Sequence, residues 1–345
     1  MKKMPRLPIQ PKAFPALMKL VSYLLSEEPR LGALSKSGDL IIDLSRAHRE
    51  LMGGSRGPVR RRHIARPLPT RMIEFLEGGA EALQTAGEAL AYVEGQLPGA
   101  KEEYLRRHLL RPLATTQLLA PVPRPPKLMA AWVNYEEHGK ETTVKAPRNA
   151  PLFFTKWSTA VIGPGQPIVL PRISRKVDYE AELALVIGAG GKNIPAENAY
   201  DHIAGYTILN DVSARDFSLR VLFGTPGPSD IQKSFDTFAP MGPCLVTRDE
   251  IPDPHALGIR LRIGDEVLQN DTTGSMIHRI PAIIAYLSSI ATLEPGDAIA
   301  TGTPSGVGFT RTPPRWLQPG ETVRIEIDAI GVLENPVVSE SGTQS

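Results

Sequence analysis

The segment Asp178-Tyr179-Glu180-Ala181-Glu182 runs without a turn residue into Leu183-Ala184-Leu185-Val186-Ile187. An unbroken apolar run of this length marks a central strand rather than an edge. Strand side chains alternate between faces, so Asp178, Glu180 and Glu182 project to one side and Leu183, Leu185 and Ile187 to the other. Carboxylates this close repel one another unless a cation joins them. Oxygen ligands at such density suit a hard ion, Mg²⁺ or Mn²⁺, with Ca²⁺ also possible. A solvated strand face is the ordinary reading of acids in a strand, and the apolar run directly after them argues against it.

A second apolar strand, Gly205-Tyr206-Thr207-Ile208-Leu209, delivers Asn210-Asp211, with Arg215 and Asp216 just beyond. Asp211 is the natural third ligand of such a centre; alone, Asn210-Asp211 also reads as a turn or a helix N-cap. Upstream, His138 and Glu141 stand three residues apart, a helical spacing at which side chains meet. A carboxylate beside an imidazole fixes its tautomer and raises its basicity, which suits a general base. An isolated histidine near a linker is otherwise usually a surface residue. Lys233 precedes the aromatic pair Phe235 and Phe238. The glycine-rich run 301–308 either presents backbone amides to an anion, as nests do, or is simply a tight turn. The run 188–193 lacks the third glycine of a dinucleotide fingerprint and the Ser or Thr of a P-loop, so it reads as a turn.

The formal net charge of +2 argues against nucleic acid or an anionic membrane as the main partner. The basic run 56–63 has no interleaved aromatics and reads as a solvated loop. Cys244 is the single cysteine, which excludes an intrachain disulfide and a thiolate metal cage. Oxygen or imidazole must therefore hold any metal, and a reducing, cytoplasmic location is expected. No stretch of about 18 apolar residues is available to span a bilayer. The apolar run 17–25 follows several lysines as in a targeting segment, but Lys19 interrupts it and no small-residue cleavage site follows.

The proline run 121–126 cannot be helix or inner strand and reads as a linker. It divides the chain into an N-terminal α+β domain, 1–125, and a catalytic domain, 126–345. The first part predicts a strand over 38–44 and a helical stretch over 70–96, split at Gly78-Gly79, with Thr85 and Glu88 at capping-box spacing for a second helix. The second predicts strands at 168–170, 179–187, 204–209, 244–247, 257–263, 297–301 and 322–330, with a helix over 275–289. No alternating βα rhythm is present, so the fold class is α+β, mostly β, rather than a doubly wound sheet.

Six blocks, in order, resemble the fumarylacetoacetate hydrolase family over about residues 127–335. They are Asn134-Tyr135-x-x-His138-x-x-Glu141, Phe153-Phe154-Thr155-Lys156, Asp178-Tyr179-Glu180-x-Glu182, Asn210-Asp211-Val212-Ser213-Ala214-Arg215-Asp216, Lys233-Ser234-Phe235-Asp236, and the glycine-rich run from Thr301. The resemblance implies a mixed β-roll catalytic domain, usually homodimeric, here preceded by a smaller N-terminal domain. It implies metal ligation by Glu180, Glu182 and Asp211, a catalytic His138–Glu141 dyad on a lid-like segment with Lys233 beside it, and substrate contacts from Arg215, Ser218, Thr303 and Lys156. Ser218 stands where many relatives carry Gln, and Trp157 where acylpyruvate-type relatives often carry Pro; both changes reshape the pocket. The implied activity is hydrolytic C–C cleavage of a small anionic β-diketo or 2-oxo acid through a metal-stabilised enolate. Decarboxylation, or isomerisation or hydration, on the same scaffold is the alternative. A non-catalytic metal-binding protein is the remote one, disfavoured because metal storage needs no base.

Overall fold

Strand Ala181–Ile187 is buried along its whole length because it lies inside a twelve-stranded sheet. The computed structural model describes residues 17–54, 67–144, 148–218, 221, 224 and 229–340, so the basic run at 56–63 and the lysines before residue 17 lie outside the described residues. Along the sheet the order is Leu110–Pro112, Leu40–Asp43, Glu28–Leu34, Lys19–Leu25, Ala239–Thr247, Ile203–Asn210, Ala181–Ile187, Ala298–Ala300, Leu128–Trp132 and Leu152–Thr155. A second sheet of five strands, from Glu266–Thr272 through Thr322–Ile327 to Ile168–Leu170, adds to the same apolar core. The architecture is α+β with more strand than helix, as the sequence predicts.

The line drawn at 125/126 is not a seam in the sheet. Strand Lys19–Leu25 pairs antiparallel with Ala239–Thr247, with Lys19 opposite Val246. The run 17–25 is thus a sheet strand in its apolar part, and with Glu28–Leu34 it forms a hairpin that the sequence reading did not mark. Helices Met72–Glu77 and Gly79–Arg106 cover the outer face of the sheet, and Phe75, Leu76, Ala82 and Ala86 share one apolar cluster with Val186, Ala204 and Leu245. The other face, with Leu183, Leu185 and Ile187, joins the main core.

The break at Gly78-Gly79 falls where expected, but Thr85 caps nothing. It sits inside Gly79–Arg106 and donates its hydroxyl to the Glu81 carbonyl. That helix also runs through Pro98, past the expected end at 96; packing of Ala86, Ala89 and Val93 outweighs the one bond that proline forfeits. The expected helix 275–289 begins later, as Ile280–Ile290, with a proline in its first turn; Ser275 instead ends the short 3₁₀ turn Thr273–Ser275.

Candidate active site

Register places the acids. Ala181 stands opposite Asn210 and Glu182 opposite Leu209, so Glu180 and Asp211 face each other one step further on, where the Asp211 amide bonds the Glu180 carbonyl at 2.8 Å. Glu182, two residues along, falls on the face of Glu180. Glu180, Glu182 and Asp211 are all buried, and a ligand oxygen from each lies within 4.8 Å of the others. Asp178, on the same side, is committed elsewhere: it accepts from Arg215 Nε at 2.9 Å and from the amides of Gly308 and Phe309 at 2.7 and 3.2 Å.

Three cations compensate four buried carboxylates. Lys233 Nζ donates to Glu180 Oε2 at 2.7 Å and Asp211 Oδ2 at 2.5 Å. Arg215 bridges Asp178 and Glu180 and lies over the Phe309 ring, 4.3 Å from its centroid. Lys156 Nζ donates to Asp211 Oδ1 at 2.6 Å and the Val212 carbonyl at 3.2 Å. Lys156, expected at the substrate, is therefore placed behind Asp211 with its side chain fully buried, and it is not among the residues lining the cavity.

Glu182 is the carboxylate left over. Its bond is to the Gly302 amide, at 2.7 Å, and no cation is paired with it among the described residues. Burial, with Asp211 and Glu180 beside it, pushes its acid well above the usual carboxylate range. Glu180 behaves oppositely: burial alone would raise it, but the Lys233 and Arg215 charges outweigh burial and hold it below that range. Burial pulls Lys156 down despite Asp211, whereas Lys233, facing both Asp211 and Glu180, ends above the ordinary lysine value. Buried oxygen donors with one carboxylate that no side-chain cation neutralises fit a hard divalent cation, which would offset the charge that burial makes costly on Glu182.

The dyad hangs over this centre. Helix Glu136–Glu141 is rooted by Asn134, whose Nδ2 donates to the carbonyls of Thr301 (2.8 Å) and His278 (2.9 Å). His138 Nδ1 bonds Glu141 Oε1 at 2.8 Å. A carboxylate only accepts, so the proton sits on Nδ1 and Nε2 is the basic nitrogen. Glu141 Oε2 is held in turn by the Gly306 amide at 2.9 Å and the Thr310 hydroxyl at 3.1 Å.

The glycine-rich run does present amides to anions, but the anions are the protein's own carboxylates: Gly302 bonds Glu182, Gly306 bonds Glu141, and Gly308 bonds Asp178. Gly302 (φ 96°) and Gly306 (φ 102°) adopt backbone that favours glycine, and a Cβ would meet Asn134 Cβ at 2.7 Å and the Leu268 carbonyl at 2.1 Å, respectively. One loop thus orients an acid of the centre, an acid of the dyad and the partner of Arg215.

His138, Glu180, Glu182, Arg215 and Lys233 line a cavity of about 380 Å³ that also includes Thr303, Ser218, Lys176, Gln232, Trp132, Phe309 and Trp316. The Thr303 hydroxyl is committed, donating to the Ala181 carbonyl (2.9 Å) and accepting from Gln269 Nε2 (2.8 Å). The sequence reading missed Lys176, Gln232 and the aromatic wall. For Lys176 a signal existed, since alternation puts it on the face of Asp178; Gln232 and Trp316 come from distant segments that no spacing rule connects.

The family model for the C-terminal domain of fumarylacetoacetate hydrolase matches residues 127–338. The mitochondrial oxaloacetate tautomerase of Xenopus laevis is 42% identical over 332 residues, covering 94% of this chain and 92% of that protein. Among solved structures, a fumarylacetoacetate hydrolase from Exiguobacterium antarcticum is similar with a TM-score of 0.71 at 29% identity, covering 94% of this chain and 100% of the other. The maleylpyruvate hydrolase of Sphingobium sp. SYK-6, solved with manganese(II) and pyruvate, has a TM-score of 0.65 at 32% identity, with the same coverage. No helix among the described residues is long and apolar enough to cross a membrane. From the match over the β-rich part and the near full-length likeness to these enzymes, the chain belongs to the fumarylacetoacetate hydrolase family.

Proposed function

We propose that this chain is a divalent-metal enzyme that moves a proton at the carbon beside the keto group of a small 2-oxo acid, interconverting keto and enol forms. The observation that carries this reading is a His138–Glu141 dyad, fixed at both Glu141 oxygens, on the wall of the cavity that holds Glu180 and Glu182. Near full-length similarity to oxaloacetate tautomerases supports it. Glu180, Glu182 and Asp211 would hold Mg²⁺ or Mn²⁺, which when bound supplies Lewis-acid polarisation of the carboxylate and keto oxygens of the acid. His138 Nε2 takes the proton from carbon, and its imidazolium, exchangeable with solvent, gives a proton to the keto oxygen to form the enol; the reverse transfers restore the keto form, and Glu141 steadies the imidazolium between them. Lys233 and Arg215 set the charge around Glu180 and Asp211.

The same dyad can take a proton from water instead, which leads to hydrolytic C–C cleavage of a β-diketo acid; the likeness to a maleylpyruvate hydrolase favours keeping this as the second reading. Oxaloacetate in D₂O with Mg²⁺ separates them. Deuterium entering C3 well above the uncatalysed rate, without release of oxalate and acetate, is the expected result. His138→Ala should lower the exchange rate by about 10²-fold or more. Unchanged exchange in that variant overturns the dyad assignment. Cleavage of an acylpyruvate outpacing exchange makes hydrolysis the principal activity.

A further inference from the structure

We infer that Lys176 reads a second carboxylate at the far end of the substrate, making this pocket selective for 2-oxo dicarboxylic acids. The inference rests on the reading above and deepens it.

Charge leads to it. Asp178, Glu180, Glu182 and Asp211 face Lys156, Lys233 and Arg215, which leaves one negative charge in the buried centre. A bound dication turns this into one positive charge, and the carboxylate of a 2-oxo acid brings it to neutrality. A second carboxylate then has no counter-charge left in the centre, and a charge carried into a partly dry cavity needs a partner.

Lys176 is placed to be that partner. The Arg215 amide donates to its carbonyl at 2.9 Å, anchoring its backbone to the segment that holds Asp178 and Glu180. Alternation sends its side chain to the side of Asp178, and it lines the cavity. The other cations of that wall, Arg215 and Lys233, are spent on carboxylates. Lys176 makes no ion pair and no side-chain hydrogen bond among the described residues, and it is exposed at the cavity mouth. The remaining lining includes the aromatic side chains Trp132, Phe309 and Trp316, none of which carries a charge. A second negative charge therefore finds one open cation rather than a general basic surface.

Calorimetry on the Mg²⁺-loaded protein tests this without turnover. Lactate and malate are inert 2-hydroxy acids that present the same chelating end and differ in the second carboxylate. Wild type is expected to bind malate about tenfold or more tightly than lactate, the effect of one charge-assisted bond. Lys176→Met should bring the two within about twofold while leaving lactate unchanged, and Lys176→Arg should restore the preference. In turnover, Lys176→Met should raise KM for oxaloacetate and leave kcat nearly constant. A preference that survives in Lys176→Met overturns the role of Lys176, and equal binding by wild type overturns the second carboxylate. Failure of wild type to bind either acid overturns the 2-oxo acid reading itself, and this inference with it.

Discussion

At the residue scale, Glu182 decides whether the centre is a metal site or only a buried salt-bridge network. Its acid is raised by burial and by two neighbouring carboxylates, so Glu182→Gln removes a repulsion along with a ligand. We expect the metal-free variant to be at least as stable as wild type while losing retention of Mg²⁺ or Mn²⁺. Melting curves with and without metal check this: a ligand at a hundredfold excess over its Kd adds about 2.7 kcal/mol to the wild type, and the variant should show no such rise. Gly302 sits at φ 96°, with Asn134 Cβ 2.7 Å from where its own Cβ would be. Gly302→Ala should therefore lower stability by about 2 kcal/mol or more, measured by denaturant titration, and weaken metal binding by displacing the amide that holds Glu182. The three acids, Arg215, Lys233 and the dyad were all readable as residues. Lys156 was read as a substrate contact because a block of sequence does not show depth, and only coordinates place it behind Asp211.

At the scale of elements, the sheet buries what it carries. Strand Ala239–Thr247 holds Cys244 between Lys19–Leu25 and Ile203–Asn210, and burial pushes its thiol up to about 12. In the unfolded chain the thiol ionises near 8.5, so the folded state keeps a proton that the unfolded state loses. This contribution to stability is fully present below about pH 8.5 and is lost as pH rises toward 12. Native protein at pH 8 should react with a thiol reagent far more slowly than protein in guanidinium, and equal rates would contradict the burial of the strand. Strands flagged by apolar runs were legible, and so was the Gly78-Gly79 break. The capping-box reading of Thr85 failed because a local motif competes with continuous helix packing, which here prevails.

At the scale of the whole molecule, the N-terminal strands complete the sheet rather than decorate it. Deleting residues 1–126 would expose the edge of Ala239–Thr247 and uncover Val186, Ala204 and Leu245. We predict that this fragment is aggregated or unfolded, as tested by light scattering and circular dichroism, because an open central edge invites pairing with other chains. A folded, monodisperse fragment would establish two independent domains. Homodimerisation, expected from the family resemblance, is measurable on the full chain by sedimentation against its 37.5 kDa mass.

The sequence by itself determined the mostly β fold class and marked the three acids and the His138–Glu141 pair as candidates for a hard-ion centre, because these follow from residue chemistry and short-range period. The tertiary structure alone decided which carboxylates are neutralised, that the glycine-rich loop serves three of the protein's own acids, that Lys176 stands open at the mouth, and that one sheet spans the proline linker. Each of these depends on pairing between segments far apart in the chain, and neither strand period nor motif spacing encodes which distant segment lies alongside.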